Sequence, residues 1–353
     1  MGLPSVSIII LNWNGWRDTI ECLDSLRHLT YPNYEIVLID NASENDSVSR
    51  IRSYCEGKQS VDSNSNEHAD RPELIEVLEY SRTEAETGGD PQRELQFNRA
   101  KAKRKLKLIL NENNLGFAGG NNVGMRYVLA STKPEYVLLL NNDTVVSPIF
   151  LTRLVETAAS DKTIGFVGPK IYFYDMNGRK DVIFSAGGKL NVRVGRGRVI
   201  GLREIDVGQY ATGQDLDYAG GSCLLARSEM IEQVGMLDES FFLYWEETDW
   251  CFRARRVGYR TVYVPDSVIW HKRGASMTGK TEQFYLTRNS FWFMKKNATK
   301  GQYFWFLVYF AVSHCFRIPQ LLLRGDFEGV SAFARGILDG LRESVRTEHR
   351  SVA

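Results

Sequence analysis

The chain has 353 residues, with 44 basic against 43 acidic side chains and a net charge of +1. That balance excludes the basic surplus of a general nucleic-acid binder. The length allows one large domain or two small ones, and 43% apolar residues suit an ordinary globular core. The five cysteines (Cys22, Cys55, Cys223, Cys251, Cys315) are scattered, odd in number and lack a CxxC pair. They read as buried thiols of a reducing, cytoplasmic compartment rather than a disulfide frame or a zinc site. Residues 1–5 show no basic stretch leading into an apolar run, so no secretory leader is expected. No segment reaches the ~20 apolar residues of a membrane span.

Residues 6–11 (VSIIIL) form a continuous apolar run, the pattern of a strand buried on both faces. The run ends in a polar loop, Asn12-Trp13-Asn14-Gly15. Ile20, Leu23 and Leu26 then recur at helical spacing. Residues 34–39 (YEIVLI) repeat the strand pattern and end in Asp40. Strand, helix and strand at this spacing make a βαβ unit and hence a parallel sheet. Asp40 stands where an acidic residue closes a strand in nucleotide-binding folds, or it caps the next helix. Asp46-Ser47 offers a better cap, which favours a ligand role for Asp40. Residues 57–107 break the pattern and read as an insertion, flexible in its polar first half and helical around 73–80. Its basic end (Arg99, Lys101, Lys103, Arg104, Lys105, Lys107) is a solvated face or a contact for an anionic partner.

Residues 106–110 make a third strand, followed by the glycine-rich run NNLGFAGGNNVG (113–124). Glycines this dense let backbone approach a ligand or another backbone. The helix expected from Asn122 could then point loop N–H groups at a phosphate or sugar. Residues 137–140 (VLLL) form the next buried strand, ending in Asn141-Asn142-Asp143. In open α/β sheets ligands lie beyond the carboxyl ends of strands, where Asp143 can hold a divalent cation against a phosphorylated ligand. A plain turn would use the same residues. Residues 171–201 read as turn-rich β structure. A second acidic cluster, Glu246-Glu247-Thr248-Asp249, follows an aromatic stretch and opens a helix that ends in arginines. Acid first and base last suits the helix dipole, but a carboxylate among aromatics can also be raised in pKa enough to act as a base. Residues 261–264 and 268–271 read as short strands, the second ending in His271.

Taken in order, VSIIILNWNG, IVLIDNASENDS, NLGFAGGNNVG, YVLLLNNDTVV, YAGGSCLLA, LYWEETDWCFRARRVGY and VIWH resemble a family 2 glycosyltransferase of the GT-A fold. The likeness covers residues 6–289 apart from the insertion. The tail motifs FYLTRNSFWF and GILDGL are similar to rhamnosyltransferase-like and galactofuranosyltransferase-like members. The resemblance implies one nucleotide-binding, mostly parallel sheet flanked by helices (1–290) and a C-terminal helical extension (291–353). It implies that Asn12, Asn14 and Asp40 hold the nucleotide base and ribose, and that Asn114, Gly116, Gly119, Gly120, Asn122 and Asn142 line the donor site. Asp143 would be the metal-binding acid of the family's D-x-D element, whose first acid is Asn141 here, and His271 a second ligand for Mg²⁺ or Mn²⁺. Glu247 would be the catalytic base, standing where the family usually has Asp. Glu246 and Asp249 would bind acceptor hydroxyls.

The function so implied is inverting transfer from a nucleoside-diphosphate sugar to a hydroxyl of a glycan or lipid-linked acceptor. The alternative is an inactive carbohydrate- or nucleotide-binding module, for which Asn141 leaves room. A nucleotidyltransferase would want a basic glycine-rich loop after the first strand, and a dehydrogenase would need the dinucleotide fingerprint. Neither pattern is present. The apolar stretch 303–316 is short for a span, and Arg317 and Pro319 interrupt it. It suits a membrane-interface helix at the cytoplasmic face, a helix packed on the catalytic domain, or a homo-oligomer contact.

Overall fold

A computed structural model of the chain describes residues 2–58, 74–99, 104–272 and 279–342. The first half alternates strands and helices: β1 (Val6–Asn12), α1 (Trp16–Leu26), β2 (Tyr34–Asp40), α2 (Ser47–Cys55), β3 (Glu76–Ser81), α3 (Arg82–Glu86), α4 (Pro91–Arg99), β4 (Lys105–Leu110), α5 (Gly116–Ala130) and β5 (Tyr136–Asn141). All strand pairs within this half are parallel, in the order β3-β4-β2-β1-β5. Their carboxyl ends therefore share one edge. Asn12 is in register with Asp40, and Leu11 with Asn141.

The second half holds β6 (Thr144–Val146), α6 (Phe150–Ser160), β7 (Ile164–Phe173), β8 (Ile183–Ser185), β9 (Gly188–Asn191), β10 (Arg196–Val199), β11 (Gln214–Leu216), β12 (Cys223–Arg227), α7 (Ser228–Val234), α8 (Glu246–Arg256) and β13 (Arg260–His271). Here the sheet turns mixed and continues β5-β12-β7-β13-β11. The two short strands expected near 261–271 are one strand, with a register shift between Val264 and Val268. Pro265 lies in that shift, where a residue without an N–H is tolerated. Beyond it the strand runs on to His271, which pairs with Thr144 and so comes to lie beside Asp143.

The sheet is buried on both faces, as its apolar strands require. Alternate residues such as Ile8, Leu38 and Leu138 pack with α1, α2 and α6, while Ile9, Val37 and Leu139 pack with α5, α7 and α8. The tail comprises α9 (Gly279–Asn297), α10 (Lys300–His314), α11 (Arg317–Leu323) and α12 (Phe327–Arg342). Phe291, Trp292, Phe293, Met294 and Phe306 join Phe241 and Leu190 in a third apolar cluster, so this extension is built onto the second half of the chain's sheet region. The five cysteines are free thiols, four of them buried.

Two expectations need correction. Residues 76–81 form edge strand β3, not a helix: the burial of Leu78 and Tyr80 alternates with more accessible neighbours, the period of a strand. The described part of the insertion thus extends the sheet, while residues 59–73, Lys101 and Lys103 lie outside the described residues. Second, the glycine-rich run is not a loop. The helix starts at Gly116, and its glycines let it sit close to the sheet: a Cβ on Gly120 would lie 2.5 Å from Leu11 Cδ1, and one on Gly124 would lie 2.8 Å from Ile9 Cγ2.

Candidate active site

At the ends of β1 and β2 the polar side chains bind one another. Asn12, wholly buried, donates to Asp40 Oδ1 (2.7 Å) and accepts from the Gly15 amide (3.2 Å). Asp40 also accepts from the Ser43 hydroxyl (2.6 Å) and amide (2.9 Å). Asn14, at φ +57°, accepts from the Glu44 and Asn45 amides and so ties the first loop to the second. Asn142 donates to Thr19 Oγ1 at 2.9 Å. Asn12 and Asn142 therefore brace the loops under the site. Helix α2 is tied at its start by Asn45, whose Oδ1 accepts from the Ser47 amide and hydroxyl, while Asp46 pairs with Arg50. A cavity of about 520 Å³ opens beside Asp40, Ser43 and Asn111–Asn114.

Three of the expected donor residues face inward instead. Gly119 and Gly120 are buried packing positions, and a Cβ on Gly119 would meet Leu115 at 2.8 Å. The Asn122 amide donates to the Leu237 carbonyl and to Glu239, and accepts from the Leu237 amide. The start of α5 does not offer free N–H groups: the Phe117 and Ala118 amides both donate to the Phe242 carbonyl. Gly116, at φ +69°, has no room for a side chain because Phe242 lies 2.5 Å from its Cβ position. Asn114 remains exposed at the rim, and its Oδ1 accepts from Asn41 and from the Gly116 amide.

A different cavity, of about 400 Å³, gathers several of the remaining groups. Its walls include Asn141, Tyr218, Gly221, Glu246, Glu247 and His271. Glu246 and Glu247 begin α8, and Glu246 is 3% exposed. Burial raises both carboxyls, Glu247 to about 7. The hydrogen bond between them raises Glu246 and lowers Glu247, so Glu246 keeps its proton while Glu247 ionises first. One oxygen of each, Oε2, is buried without a hydrogen-bond partner among the described residues. Asp249 faces the other way, as a position about 200° around the helix from Glu247 must. It is fully buried and binds Arg253 (2.8 Å), Lys296 (2.9 Å) and Asn297 (2.8 Å). Asp249, expected beside the acceptor, is therefore turned away from this cavity and ties α8 to α9.

His271 Nε2 lies 3.0 Å from Asp143 Oδ1 and 3.5 Å from the Asn141 amide. Octahedral Mg²⁺ with bonds of about 2.1 Å spaces adjacent ligands about 3 Å apart, so this pair fits one ion of that kind. No cluster of three His, Cys, Asp or Glu side chains exists among the described residues. A cation here would draw its other ligands from Asn141, water and the ligand's phosphates, the usual habit of Mg²⁺.

Sequence reading missed what holds the acidic pair in place. The preceding loop carries Phe242, Tyr244 and Trp245 at φ +65°, +66° and +77°, a costly conformation for bulky residues. Asn289 of α9, fully buried, donates to the carbonyls of Phe241, Leu243 and Tyr244 at 2.8–2.9 Å. Arg288 donates to the Phe241 carbonyl and lies 4.0 Å from the Trp292 ring centroid.

The open α/β sheet, with its ligand edge and mixed second half, is that of a GT-A glycosyltransferase. Solved structures with this fold include a mannosyltransferase from Pyrobaculum calidifontis in complex with GDP-Man and Mn²⁺ (TM-score 0.52, 15% identity, 98% of this chain and 83% of that one). Another is S. aureus TarS 1-349 in complex with UDP-GlcNAc (TM-score 0.53, 12% identity, 96% and 80%). The chain belongs to glycosyltransferase family 2: the model described as "Glycosyltransferase like family 2" matches residues 93–301, and "Glycosyl transferase family 2" matches 7–68. It is 33% identical over 143 residues to a low-salt glycan biosynthesis hexosyltransferase, Agl10, of Haloferax volcanii (40% of this chain, 44% of that protein). It is 24% identical over 206 residues to a dTDP-rhamnosyl transferase, RfbF, of Shigella flexneri (55% and 64%). The chain thus spans less than two thirds of the length of either relative.

Proposed function

We propose that this protein transfers a sugar from a nucleoside-diphosphate sugar to an acceptor hydroxyl by a single inverting displacement. The observation that carries the proposal is one cavity shared by the raised Glu246–Glu247 pair and by Asn141 and His271. Asp40 and Asn141 end strands two apart, a separation of about 10 Å. That distance suits a nucleoside beside Asp40, Ser43 and Asn111–Asn114 with its diphosphate towards Asp143 and His271. Mg²⁺ or Mn²⁺ held by Asp143 and His271 would neutralise charge on the departing diphosphate.

Glu247, ionising near pH 7, accepts the proton of the acceptor hydroxyl as that oxygen attacks the anomeric carbon. Such assistance is worth about 10²–10⁴-fold. Glu246 stays protonated and holds Glu247 in position through their shared hydrogen bond. The acceptor is a glycan hydroxyl, and the relatives' names make dTDP-rhamnose the first donor to test. UDP and GDP sugars follow from the structural neighbours. The test is transfer to saccharide acceptors from each donor with Mn²⁺ or Mg²⁺, with the product's anomeric configuration read by NMR. A product opposite in configuration to the donor supports the proposal. Retained configuration, or no donor turned over by the folded protein, contradicts it.

A further inference from the structure

Helix α10 is apolar on every side, as a buried helix would be, yet only one side is covered. Phe306 and Phe310 pack on Phe291 of α9, and Phe310 stacks on Phe333 of α12. The opposite side presents Phe304, Trp305, Val308 and Val312, positions that fall on one helical face, and Phe316 follows in the turn before α11. Trp305 is 62% exposed, Val312 69% and Phe316 70%. Beyond it, Leu323 (89%) and Phe327 (70%) prolong the patch. Contiguous apolar surface of this kind marks an interaction site.

The charges along α10 and α11 are basic, whereas Asp326 and Glu328 flank Phe327 at the far end of the patch, Glu328 paired with Lys280. Residues 300–325 hold Lys300, Arg317 and Arg324 and no acidic residue. The β9–β10 hairpin lies against the same helix: a Cβ on Gly195 would meet Phe306 at 2.6 Å, and Arg196 lies 3.2 Å from the Tyr309 hydroxyl. Its exposed Arg193, Arg196 and Arg198 have no acidic residue between them. The run Lys300–Leu323 is 24 residues long and apolar enough to cross a bilayer, longer than the sequence reading allowed. However, Phe306, Phe310 and His314 hold one side of α10 against Phe291 of α9 and Phe333 of α12, contacts that a crossing helix could not keep.

We infer that this face docks on an anionic lipid surface, with α10 and α11 lying in the interface plane and the hairpin arginines at headgroup level. Apolar rings buried beneath the headgroups and arginines among the phosphates would each be satisfied there. The hairpin's Gly197 also lines the cavity holding Glu246 and Glu247, so docking would bring that cavity's rim to the lipid. This inference does not depend on the transfer reaction, because vesicle binding is measured without substrate.

The experiment is co-sedimentation of the full chain with phosphatidylglycerol-rich vesicles and with phosphatidylcholine vesicles, at low and high salt. The expected result is binding to the anionic vesicles, weakened by salt and much weaker on phosphatidylcholine. Replacing Arg193, Arg196 and Arg198 together by Glu should weaken it by on the order of 100-fold or more, about fivefold for each near-surface arginine. Trp305→Ser with Val312→Ser should weaken binding to both vesicle types. Circular dichroism confirms folding of each variant. Equal binding by the triple Glu variant would overturn the inference. So would a salt-stable dimer disrupted by Trp305→Ser in a protein that ignores vesicles, since a second copy would then cover the face.

Discussion

The two ends of the ligand edge use polar residues in opposite ways. At the ends of β1, β2 and β5, Asn12, Asn14, Asp40 and Asn142 spend much of their hydrogen-bonding capacity on one another and on nearby loops. At the start of α8 and the end of β13, buried polar atoms have no hydrogen-bond partner among the described residues: Oε2 of Glu246 and of Glu247, and Nδ1 of His271, whereas the donor side has one such atom, Asn111 Oδ1. A satisfied network rigidifies a loop, whereas an orphaned buried carboxyl costs stability and is retained for what it does. In the proposed reading the donor side is mainly a frame, and the chemistry would sit across the sheet from it.

The sharpest way to break this contrast is Glu247→Gln. It should reduce turnover by about 10²–10⁴-fold and leave donor affinity within about twofold, read by steady-state rates beside calorimetry. Joint loss of both would place Glu247 in the donor frame instead. Asp143→Ala comes next. Donor binding in Mn²⁺ should weaken by on the order of 10–100-fold, while metal-free binding barely changes. A metal-independent loss would make Asp143 another brace.

Asn289→Ala removes the donor that holds three carbonyls of the strained loop. We expect kcat to fall on the order of 10-fold with KM nearly unchanged. The alkaline-rising limb of the pH profile should also shift, because Glu247 loses its fixed, dry setting. Asn289→Asp should not rescue, since an ionised carboxylate cannot donate. An unchanged pH profile would reduce Asn289 to a stability residue.

The frame predicts the reverse pattern. Asn12→Ala should lower stability by about 1–3 kcal/mol, the cost of leaving a buried partner such as Asp40 unsatisfied, with activity per folded molecule largely kept. The smallest effect concerns pH and stability. Glu247 is raised from 4.5 to about 7, so folding favours its neutral form. Its stability contribution is fully present below about pH 4.5 and is lost as pH rises through about 7. Glu247→Gln should therefore melt with the wild type at pH 4 and be more stable at pH 8, by on the order of 2 kcal/mol.

Much of this architecture was legible because it is local. Continuous apolar runs marked β1, β2, β4 and β5, and the acids at strand ends marked the ligand edge. The raised acidic pair followed from carboxylates beside Trp245 and Phe241. What failed to show was tertiary. Gly116–Gly124 reads as a loop by propensity, and only the closeness of α5 to Leu11 and Ile9 makes it a helix. β3 lies in a polar stretch and becomes a strand because β4 offers it an edge. The direction of Asp249 could have been read from helical phase, since it cannot share the face of Glu247 two residues away. The Asn289 clamp could not, because its partners lie more than forty residues upstream.

The most direct test of the central claim is the pH dependence of kcat/KM for transfer, from about pH 5 to about pH 9. With Glu247 as the base, the rate should rise about tenfold per pH unit on the acid side and level off near pH 7. A profile flat through that range would contradict a raised carboxylate as the group that takes the acceptor's proton.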